Sequence, residues 1–261
     1  MKNKILISVD VEEFDIPEEY GQKIPLQEKL LVSYRGVVKA MTLFEELNIR
    51  ATFFITAYWA QNFPDMVKRM AAKHEIASHA FYHDVFEETD LLDSRNELEY
   101  ISGQKVKGFR MPRLKPVNMG SLEKAGYTYD ASLNPTWIPG RYDNRKQPRC
   151  VHRKNALWVM PSSVTPHLRL PIFWLSVKNF PLWFTRYCSR RILRKEDYFS
   201  FYFHPWELED LSSYKLPLVV KSISGAKMHN KMRRFLTYLS AKGEFISHSD
   251  YLEKVNSGGK A

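Results

Sequence analysis

Two histidines separated by three residues are the first feature of this sequence that could do chemistry. His79 and His83 follow a short apolar stretch, residues 75–78, whose composition predicts a buried strand. If the segment between the two histidines coils like a helical turn, both imidazoles face one side and can bind the same metal ion. A pair at this spacing can equally well cap or pack, so further ligands are needed before it indicates a metal site.

Carboxylates end the first apolar run of the chain. Asp10, Glu12 and Glu13 follow residues 5–9, which predict the first buried strand. Acids at the end of a buried strand are costly unless they serve a metal, a proton transfer or an arginine; the alternative is a solvated acidic loop. Two histidines and one carboxylate would leave a divalent metal with open positions, which is typical of a catalytic site.

Two later strand-like segments also end in polar side chains. Arg110 ends residues 106–110 and could hold a carboxylate in its ionised form, although an ordinary surface arginine would look the same. His204 follows residues 198–203 and precedes Pro205-Trp206-Glu207; the alternative here is a packed core histidine. The remaining histidines lack a partner at useful spacing, and we interpret them as structural or exposed.

Strand-like and helix-like stretches alternate along the chain, which is typical of an α/β protein with a largely parallel sheet. The predicted strands are residues 5–9, 51–55, 75–78, 106–110, 127–131, 157–160, 198–203 and 245–247, and the predicted helices are 34–47, 64–73, 119–125 and 230–241. This pattern predicts a single distorted (β/α) barrel of about seven parallel strands in residues 1–256, followed by a disordered tail in 257–261. Because the carboxyl ends of parallel strands meet at one face, we expect the reactive side chains to gather there.

The composition is that of a protein with a sizeable core and an acidic partner. The 261 residues are 44% hydrophobic and 26% charged, and no stretch approaches the ~20 apolar residues of a membrane-spanning helix. Cys150 and Cys188 belong to no pairing motif and predict free thiols in a reducing compartment. A net charge of +10 without a nucleic-acid-binding motif favours an anionic membrane or a phosphorylated substrate and no nucleic acid.

Taken together and in order, these motifs resemble those of the polysaccharide deacetylase family (carbohydrate esterase family four), which includes chitin and peptidoglycan deacetylases. The similar segments are Ser8-Val9-Asp10-Val11-Glu12, His74-Glu75-Ile76-Ala77, His79 to His83, Arg110-Met111-Pro112, Gly126 to Ser132, and Phe203 to Glu207. The resemblance spans residues 4 to about 252, and the first and last motifs are similar to those of a branch with Asp-x-Glu and His-Pro-Trp-Glu.

The sequence departs from the family pattern at three positions. Val11 stands where most members have a second aspartate, the metal ligand. A strand places Glu12 on the same side as the first aspartate, so Glu12 is expected to replace this ligand, with Glu13 as the competitor. Ala80 stands where a hydroxyl residue is usual, and Leu114 stands where a glycine is usual in the loop expected to face the sugar.

The resemblance implies a hydrolase that removes the N-acetyl group of an amino sugar in a polysaccharide or glycan precursor. By the same resemblance, Glu12, His79 and His83 hold a divalent metal, zinc in the first place, with cobalt, nickel, manganese and iron as alternatives. Asp10 takes a proton from the attacking water, and Arg110 orients Asp10 and keeps it ionised.

Further roles follow from the resemblance alone. His204 protonates the departing amine, and Asp130 holds His204 in its charged, oriented form. A backbone N–H near Arg113 helps to hold the oxyanion. Pro112, Arg113 and Trp206 contact the substrate.

The two alternatives are an amidohydrolase of the cyclic imide or allantoin type on the same fold and a catalytically inactive glycan-binding relative. The sequence does not predict an oligomeric state.

The first apolar run is too short for a secretory signal, because Asp10 and Glu12 follow it at once. This predicts a cytoplasmic protein that acts on a nucleotide-linked or lipid-linked sugar during surface-polysaccharide assembly. Residues 173–195 combine aromatic and basic side chains, which favours peripheral contact with the anionic inner face of the membrane. The alternative for this segment is a barrel helix with buried aromatics and a solvated basic face.

Overall fold

A computed structural model describes residues 3–258, and its central feature is a curled sheet of nine strands. The strands of the chain are β1 (Asn3–Val11), β2 (Thr52–Ile55), β3 (Glu75–Ser78), β4 (Gly108–Phe109), β5 (Tyr129–Asp130), β6 (Trp137–Ile138), β7 (Tyr142–Asp143), β8 (His152–Lys154), β9 (Leu157–Val159), β10 (Tyr198–Phe203) and β11 (Gly243–Phe245). Their order in the sheet is β10-β1-β2-β3-β4-β5-β9-β8, with β11 beside the start of β1, and β6 and β7 form a separate hairpin.

The sheet confirms the predicted α/β class and its parallel strands. From β10 to β9 all neighbours are parallel, which makes seven parallel strands in a row; only β8 runs antiparallel to its neighbour. Within the described residues the row of strands curls but does not close, so the architecture is a half-barrel.

The strand β1 lies inside the sheet because its sequence is apolar on both faces. Four of its side chains have no exposed surface (Ile5, Leu6, Ile7 and Val9). This is expected for a parallel strand that is covered by helices on one face and by side chains of the other strands of the curled sheet on the other. It pairs with β10 over Lys4–Val9 and with β2 over Ser8–Val11. Its carboxyl end is thereby held between two strands whose carboxyl ends point the same way.

Ten helices surround the sheet in the described residues. They are α1 (Leu26–Leu47), α2 (Ala57–Asn62), α3 (Pro64–Ala71), α4 (Asp90–Ser102), α5 (Met119–Lys124), α6 (Trp174–Asn179), α7 (Leu182–Leu193), α8 (Leu218–Lys221), α9 (Gly225–Ser240) and α10 (His248–Gly258). All four predicted helices are present, and α1 begins eight residues earlier than predicted. Helix α10 includes Ser257 and Gly258, which corrects that part of the predicted tail; residues 259–261 lie outside the described residues.

Two simple properties of the fold bear on the predictions from composition. No helix among residues 3–258 has both the length and the apolar character needed to cross a membrane. Cys150 is exposed and Cys188 is buried, and both are free thiols, as predicted.

A buried histidine outside the site makes the stability of the fold dependent on pH. His74 accepts a hydrogen bond from the backbone N–H of Ala51 at 3.2 Å and packs against Phe44 and Phe53. Burial, with Arg50 and Lys73 nearby, lowers its pKa from 6.5 to about 4. Between pH 6.5 and pH 4 the imidazole of the unfolded chain binds a proton, whereas the buried imidazole of the folded chain stays neutral. The free energy of unfolding therefore decreases as the pH falls through this range, by roughly 3 kcal/mol in total.

We expect His74→Asn, which keeps an acceptor and does not titrate, to lose less stability between pH 6.5 and pH 4 than the unsubstituted protein. Urea unfolding at a series of pH values measures this difference, with the exposed His167→Asn as the matched control. Equal losses in the His74 variant and the unsubstituted protein would contradict the assignment.

Candidate active site and metal centre

Three side chains that follow the carboxyl ends of β1 and β3, two strands separated in the sheet by β2, meet in one buried cluster. Glu12 directly follows β1, and His79 and His83 follow β3. The ligand atoms of these three residues all lie within 4.8 Å of one another, and all three side chains are buried. The Nε2 atoms of His79 and His83 lie 3.2 Å and 3.0 Å from the same oxygen, Oε2 of Glu12.

The other ring nitrogen of each histidine is held by an acceptor. Nδ1 of His79 lies 2.7 Å from the carbonyl oxygen of Arg110, and Nδ1 of His83 lies 2.9 Å from the carboxylate of Asp15. Neither partner can donate, so both Nδ1 atoms carry the proton. In the neutral rings the lone pairs are then on Nε2 and point at a carboxylate oxygen, an arrangement that is repulsive unless a cation lies between them.

The charges around the cluster indicate the same requirement. Burial raises the pKa of Glu12, but the charges of His83 and His204 and the contact with His79 lower it by more. The net result is a pKa well below 4.5. Burial lowers the pKa of His83, whereas Glu12 and Asp15 raise it, on balance to about 10. The cluster thus needs a positive charge, which either a proton on His83 or a metal ion can supply. The residues present fit a divalent metal: two imidazole nitrogens, one carboxylate, and acceptors that orient both rings.

The carboxylate in the cluster is Glu12 and not its competitor Glu13. The second oxygen of Glu12 accepts a hydrogen bond from the indole N–H of Trp206 at 3.1 Å, which fixes the carboxylate toward the histidines. Glu13 points away and accepts a hydrogen bond from the hydroxyl of Thr56 at 3.1 Å. Burial, with smaller opposing contributions, raises the pKa of Glu13 to about 7. The alternation of a strand therefore places Asp10 and Glu12 on the inner side, as expected from the sequence.

Asp10 forms a buried ion pair with Arg110 beside this cluster. Nη1 of Arg110 lies 2.5 Å from Oδ1 of Asp10 and donates to the hydroxyl of Ser8 at 2.9 Å. Nε of Arg110 donates to the carbonyl of Ala131, and the guanidinium lies over the ring of Phe54 at 4.0 Å. The arginine is 1% exposed. The contact between Arg110 and Asp10 that the resemblance implied is therefore present, and its geometry holds Asp10 in one orientation.

His204 lies across the same cavity, but its carboxylate partner is not the expected one. Oε1 of Glu207 lies 3.4 Å from Nδ1 of His204 and accepts the backbone N–H of His204 at 2.9 Å. Burial lowers the pKa of His204, and Glu12 and Glu207 raise it, so that the net shift is upward from 6.5. Glu207 is itself paired with the buried ammonium of Lys178 at 3.4 Å. The charged form of His204 is thus favoured by Glu12 in the first place and also by Glu207.

The prediction that Asp130 holds His204 is wrong. Asp130 accepts hydrogen bonds from the backbone N–H and the hydroxyl of Ser132, and it lines a different cavity. Burial raises the pKa of Asp130. The 3-10 turn that follows His204 folds Glu207 back onto the histidine, whereas the short strand β5 directs Asp130 to the neighbouring segment.

The cluster opens into a cavity of about 210 Å³ at the carboxyl face of the sheet. Arg113 lines this cavity, as expected of a substrate contact, whereas Pro112 is buried and does not line it. Trp206 lines it but is 1% exposed and stacks on the ring of His204 at 4.8 Å, so it supports Glu12 and His204 from behind. The remaining wall is mostly apolar and aromatic (Trp174, Ile16, Tyr142, Phe173, Leu175, Tyr202, Val219), with the charged side chains of Glu19 and Arg141 also lining it.

Two of the departures from the family pattern occur where the backbone is left-handed. Ala80 has φ +63° and Leu114 has φ +52°, a region that favours glycine. Each costs about 1 kcal/mol relative to glycine. Arg113, with φ +57°, is also left-handed, so the turn after Pro112 presents two consecutive strained residues to the cavity. The loop therefore has a conformation suited to glycine although leucine occupies it.

Three polar residues of the site are not predicted from the sequence: Asp15, Glu207 and Lys178. Asp15 lies three residues after Glu12, and Glu207 lies three residues after His204, so both spacings were visible beside motifs already identified. Asp15 also binds Arg113 through its second oxygen at 2.9 Å. Lys178 had no such signal, because it comes from α6 and is far from Glu207 along the chain.

We expect Asp15→Ala to weaken metal binding by roughly 10- to 100-fold, the usual cost of losing the group that orients a ligating histidine. Asp15→Asn keeps an acceptor for Nδ1–H of His83 and should recover most of this loss. Competition with a chromogenic chelator measures the affinity of each variant. If the alanine variant binds metal as tightly as the unsubstituted protein, Asp15 does not orient His83.

Comparison with known proteins identifies the family that the chain resembles. Residues 34–129 match the family model for polysaccharide deacetylases, a segment that includes His79, His83 and Arg110. No curated protein matches the sequence. The family match confirms the resemblance over this segment.

Solved structures show that the fold extends over the whole chain. A Mycobacterium smegmatis protein assigned to the polysaccharide deacetylases has a TM-score of 0.67 at 16% identity, covering 100% of this chain and 92% of its own. A Pseudomonas aeruginosa protein with the same assignment has a TM-score of 0.67 at 16% identity, covering 98% and 92%. The allantoinase PuuE has a TM-score of 0.61 at 17% identity, covering 98% and 91%. At these identities the comparison establishes the α/β half-barrel.

Proposed function

We propose that this chain, which resembles the polysaccharide deacetylases in residues 34–129 and in fold, is a metal-dependent hydrolase that removes the N-acetyl group of an amino sugar. One observation carries the proposal. The Nε2 atoms of two buried imidazoles face one oxygen of a buried carboxylate, in a cavity that also contains a second carboxylate and a third histidine.

Glu12, His79 and His83 would hold the metal, with zinc as the first candidate because two imidazoles and one carboxylate suit it. A divalent ion there would polarise the acetyl carbonyl and lower the pKa of the attacking water. Each of these ligands is oriented by a hydrogen bond: His83 by Asp15, Glu12 by Trp206, and His79 by the carbonyl of Arg110.

Asp10 is placed to accept the proton of the attacking water. Its partner Arg110 uses three donors on three different acceptors, so the guanidinium cannot rotate and the carboxylate keeps one orientation. The ion pair holds the buried carboxylate of Asp10 in one place, as a positioned base requires. Arg110 acts through Asp10 and does not itself line the cavity.

His204 would give a proton to the departing amine. Glu12 and Glu207 raise the pKa of His204, which favours the charged ring, and Glu207 holds Nδ1 so that Nε2 faces the cavity. The stack on Trp206 and the edge contact with Trp174 fix the plane of the ring. General-acid assistance of this kind contributes about 10²- to 10⁴-fold to the rate.

Acetate release from a panel of N-acetylated sugars, with allantoin and hydantoin as the second panel, tests the reaction. The proposal expects acetate from at least one sugar and no ring opening of either imide. Ring opening without acetate release would favour an amidohydrolase of the allantoinase type. Glycan binding without turnover in the metal-loaded protein would indicate an inactive relative.

The chain would act in the cytoplasm on a precursor of surface polysaccharide and contact the inner face of the membrane. Helix α7 exposes Trp183 and Tyr187 (69% and 44% exposed), and Phe180, two residues before the helix, is 43% exposed; basic side chains follow (Arg190, Arg191 and the adjoining Arg194). Phe173 and Trp174, by contrast, are buried at the catalytic cavity and are not part of this face.

Flotation with phosphatidylglycerol vesicles measures this contact. We expect binding at low salt that is lost on adding salt and on replacing Trp183 by serine. Phosphatidylcholine vesicles are the control. An absence of binding to the anionic vesicles at low salt would rule the contact out.

A further inference from the structure

A second, larger cavity lies beside the catalytic one. It has a volume of about 480 Å³, and four residues line both cavities: Arg113, Leu114, Arg141 and Tyr142. The volume falls within the ~300–1,000 Å³ usual for small-molecule sites. A ligand that reaches the metal centre with its acetyl group can therefore place a neighbouring group in the second cavity without leaving the protein surface.

The second cavity is lined by positive charge. Lys115, Arg141 and Lys154 line it together with Arg113, and Asp130 is the one carboxylate among its described lining residues. One oxygen of that carboxylate, Oδ1, accepts two hydrogen bonds from Ser132, and the carboxylate also interacts electrostatically with Lys154.

The two lysines differ from the two arginines in having no ion-pair partner. Arg113 and Arg141 both bind the carboxylate of Glu19, at 2.6 Å and 3.0 Å. Lys115 and Lys154 are exposed and form no ion pair with residues of the described range 3–258. Two ammonium groups on different segments, one after the turn at Pro112 and one on β8, thus face one concave site with no carboxylate at ion-pair distance in the described residues.

The rest of the lining combines hydrogen-bonding and apolar side chains, which suits a ligand with both a polar and an apolar or planar part. Side chains that can donate hydrogen bonds are Tyr142, Asn144 and Gln147, and the apolar part of the wall includes Val117, Met119, Leu133 and Val159. An uncharged glycan would gain nothing from the two free ammonium groups. A phosphate ester would gain two charge-assisted contacts.

We propose that the second cavity binds the diphosphate of an activated amino sugar, whose N-acetyl group then reaches Glu12, His79 and His83. The substrate class is a diphosphate-linked N-acetylhexosamine and not a finished neutral polymer. The choice of substrate rests on the proposed deacetylase function, whereas the binding of diphosphate rests on the second cavity alone.

The first experiment measures binding of inorganic pyrophosphate by calorimetry to the full chain after removal of metal with a chelator, so that no metal contact contributes. We expect Lys115→Gln with Lys154→Gln to weaken binding by about 10- to 100-fold, since a hydrogen bond to a charged group is worth about one tenfold step or more. The matched control, Lys23→Gln with Lys73→Gln, removes the same charge from exposed positions elsewhere and should leave binding unchanged. Equal binding by the cavity variant and the unsubstituted protein, or no binding to either, would overturn the proposal.

The second experiment distinguishes the two sources of diphosphate. A nucleoside diphosphate N-acetylhexosamine and a polyprenyl diphosphate N-acetylhexosamine are each tested as competitors of bound pyrophosphate. Competition by one of them supports the proposal and identifies that source, and competition by neither overturns it.

Acetate release is measured separately on the metal-loaded protein. If pyrophosphate binds through the lysines but no acetate is released, the cavity assignment stands and the deacetylase proposal fails. If acetate is released from neutral and diphosphate-linked sugars with the same KM, and the KM for both is unchanged in the lysine variant, the deacetylase stands and the substrate assignment fails.

Discussion

His79→Ala is expected to abolish stoichiometric metal binding and to lower kcat/KM by at least about 10³-fold, because the charge stabilisation that a metal supplies is worth several kcal/mol. In the proposed metal centre His79 is one of the two imidazole ligands among the described residues, and its ring is held in place by the carbonyl of Arg110. With the ring removed, Glu12 and His83 are left as two ligands, which is too few to hold zinc tightly. Metal content by mass spectrometry and acetate release measure the two effects on the same preparation.

The buried position of His79 requires a check on folding. Circular dichroism and urea unfolding establish whether the variant retains the fold, and His167→Ala removes an exposed histidine as the matched control. A folded His79 variant that is free of metal and fully active would exclude the proposed metal centre.

Arg110→Met is expected to destabilise the protein by about 3–5 kcal/mol, the usual cost of removing one partner of a buried ion pair. The substitution leaves Asp10 buried without its counter-charge, and it also removes the donors to Ser8 and to the carbonyl of Ala131. Arg110→Lys should recover only part of the loss, because an ammonium group cannot reach three acceptors in a fixed plane. Urea unfolding with a constant m-value measures each change.

A double variant separates the effect of the unpaired charge on Asp10 from the effect of the lost side-chain packing of Arg110. Asp10→Leu combined with Arg110→Met removes both charges, and it should be more stable than Arg110→Met alone. If Arg110→Met unfolds at the same urea concentration as the unsubstituted protein, Arg110 does not hold Asp10 in the way the ion pair indicates.

The placement of Asp10, Glu12, His79, Arg110 and His204 could be predicted because each follows a strand whose apolar run is plain in the sequence. In a parallel sheet the carboxyl ends gather by construction, so identifying the strands already brings these residues together. The choice of Glu12 over Glu13 follows from the two-residue period of a strand and is also visible in the sequence.

The partner of His204 could not be predicted in the same way. Asp130 and Glu207 both lie near the ends of strands, and the sequence does not say which carboxylate reaches the ring. The 3-10 turn after His204 decides it, because that turn is short enough to bring Glu207 back within 3.4 Å. Local chain geometry, and not residue type, settles this contact.

Helix α4 was missed because its buried face is narrow and partly polar. The buried positions are Leu91, Ser94, Leu98 and Ile101, spaced three or four residues apart as in a helix. A serine among them interrupts the apolar stripe, and Leu92 and Tyr100 are exposed on the other face. The hydrophobic pattern was therefore weak, although the serine has a structural reason: its hydroxyl lies 3.0 Å from that of Ser78 at the end of β3.

The most direct test of the metal centre is a titration of the unsubstituted protein. The chain is stripped with a chelator, and zinc is added in steps while acetate release from an N-acetylated sugar is followed. We predict no activity in the stripped protein and a linear recovery that ends at one zinc per chain. Full acetate release from the stripped protein, unchanged by added zinc, would contradict the assignment of Glu12, His79 and His83 as a catalytic metal site.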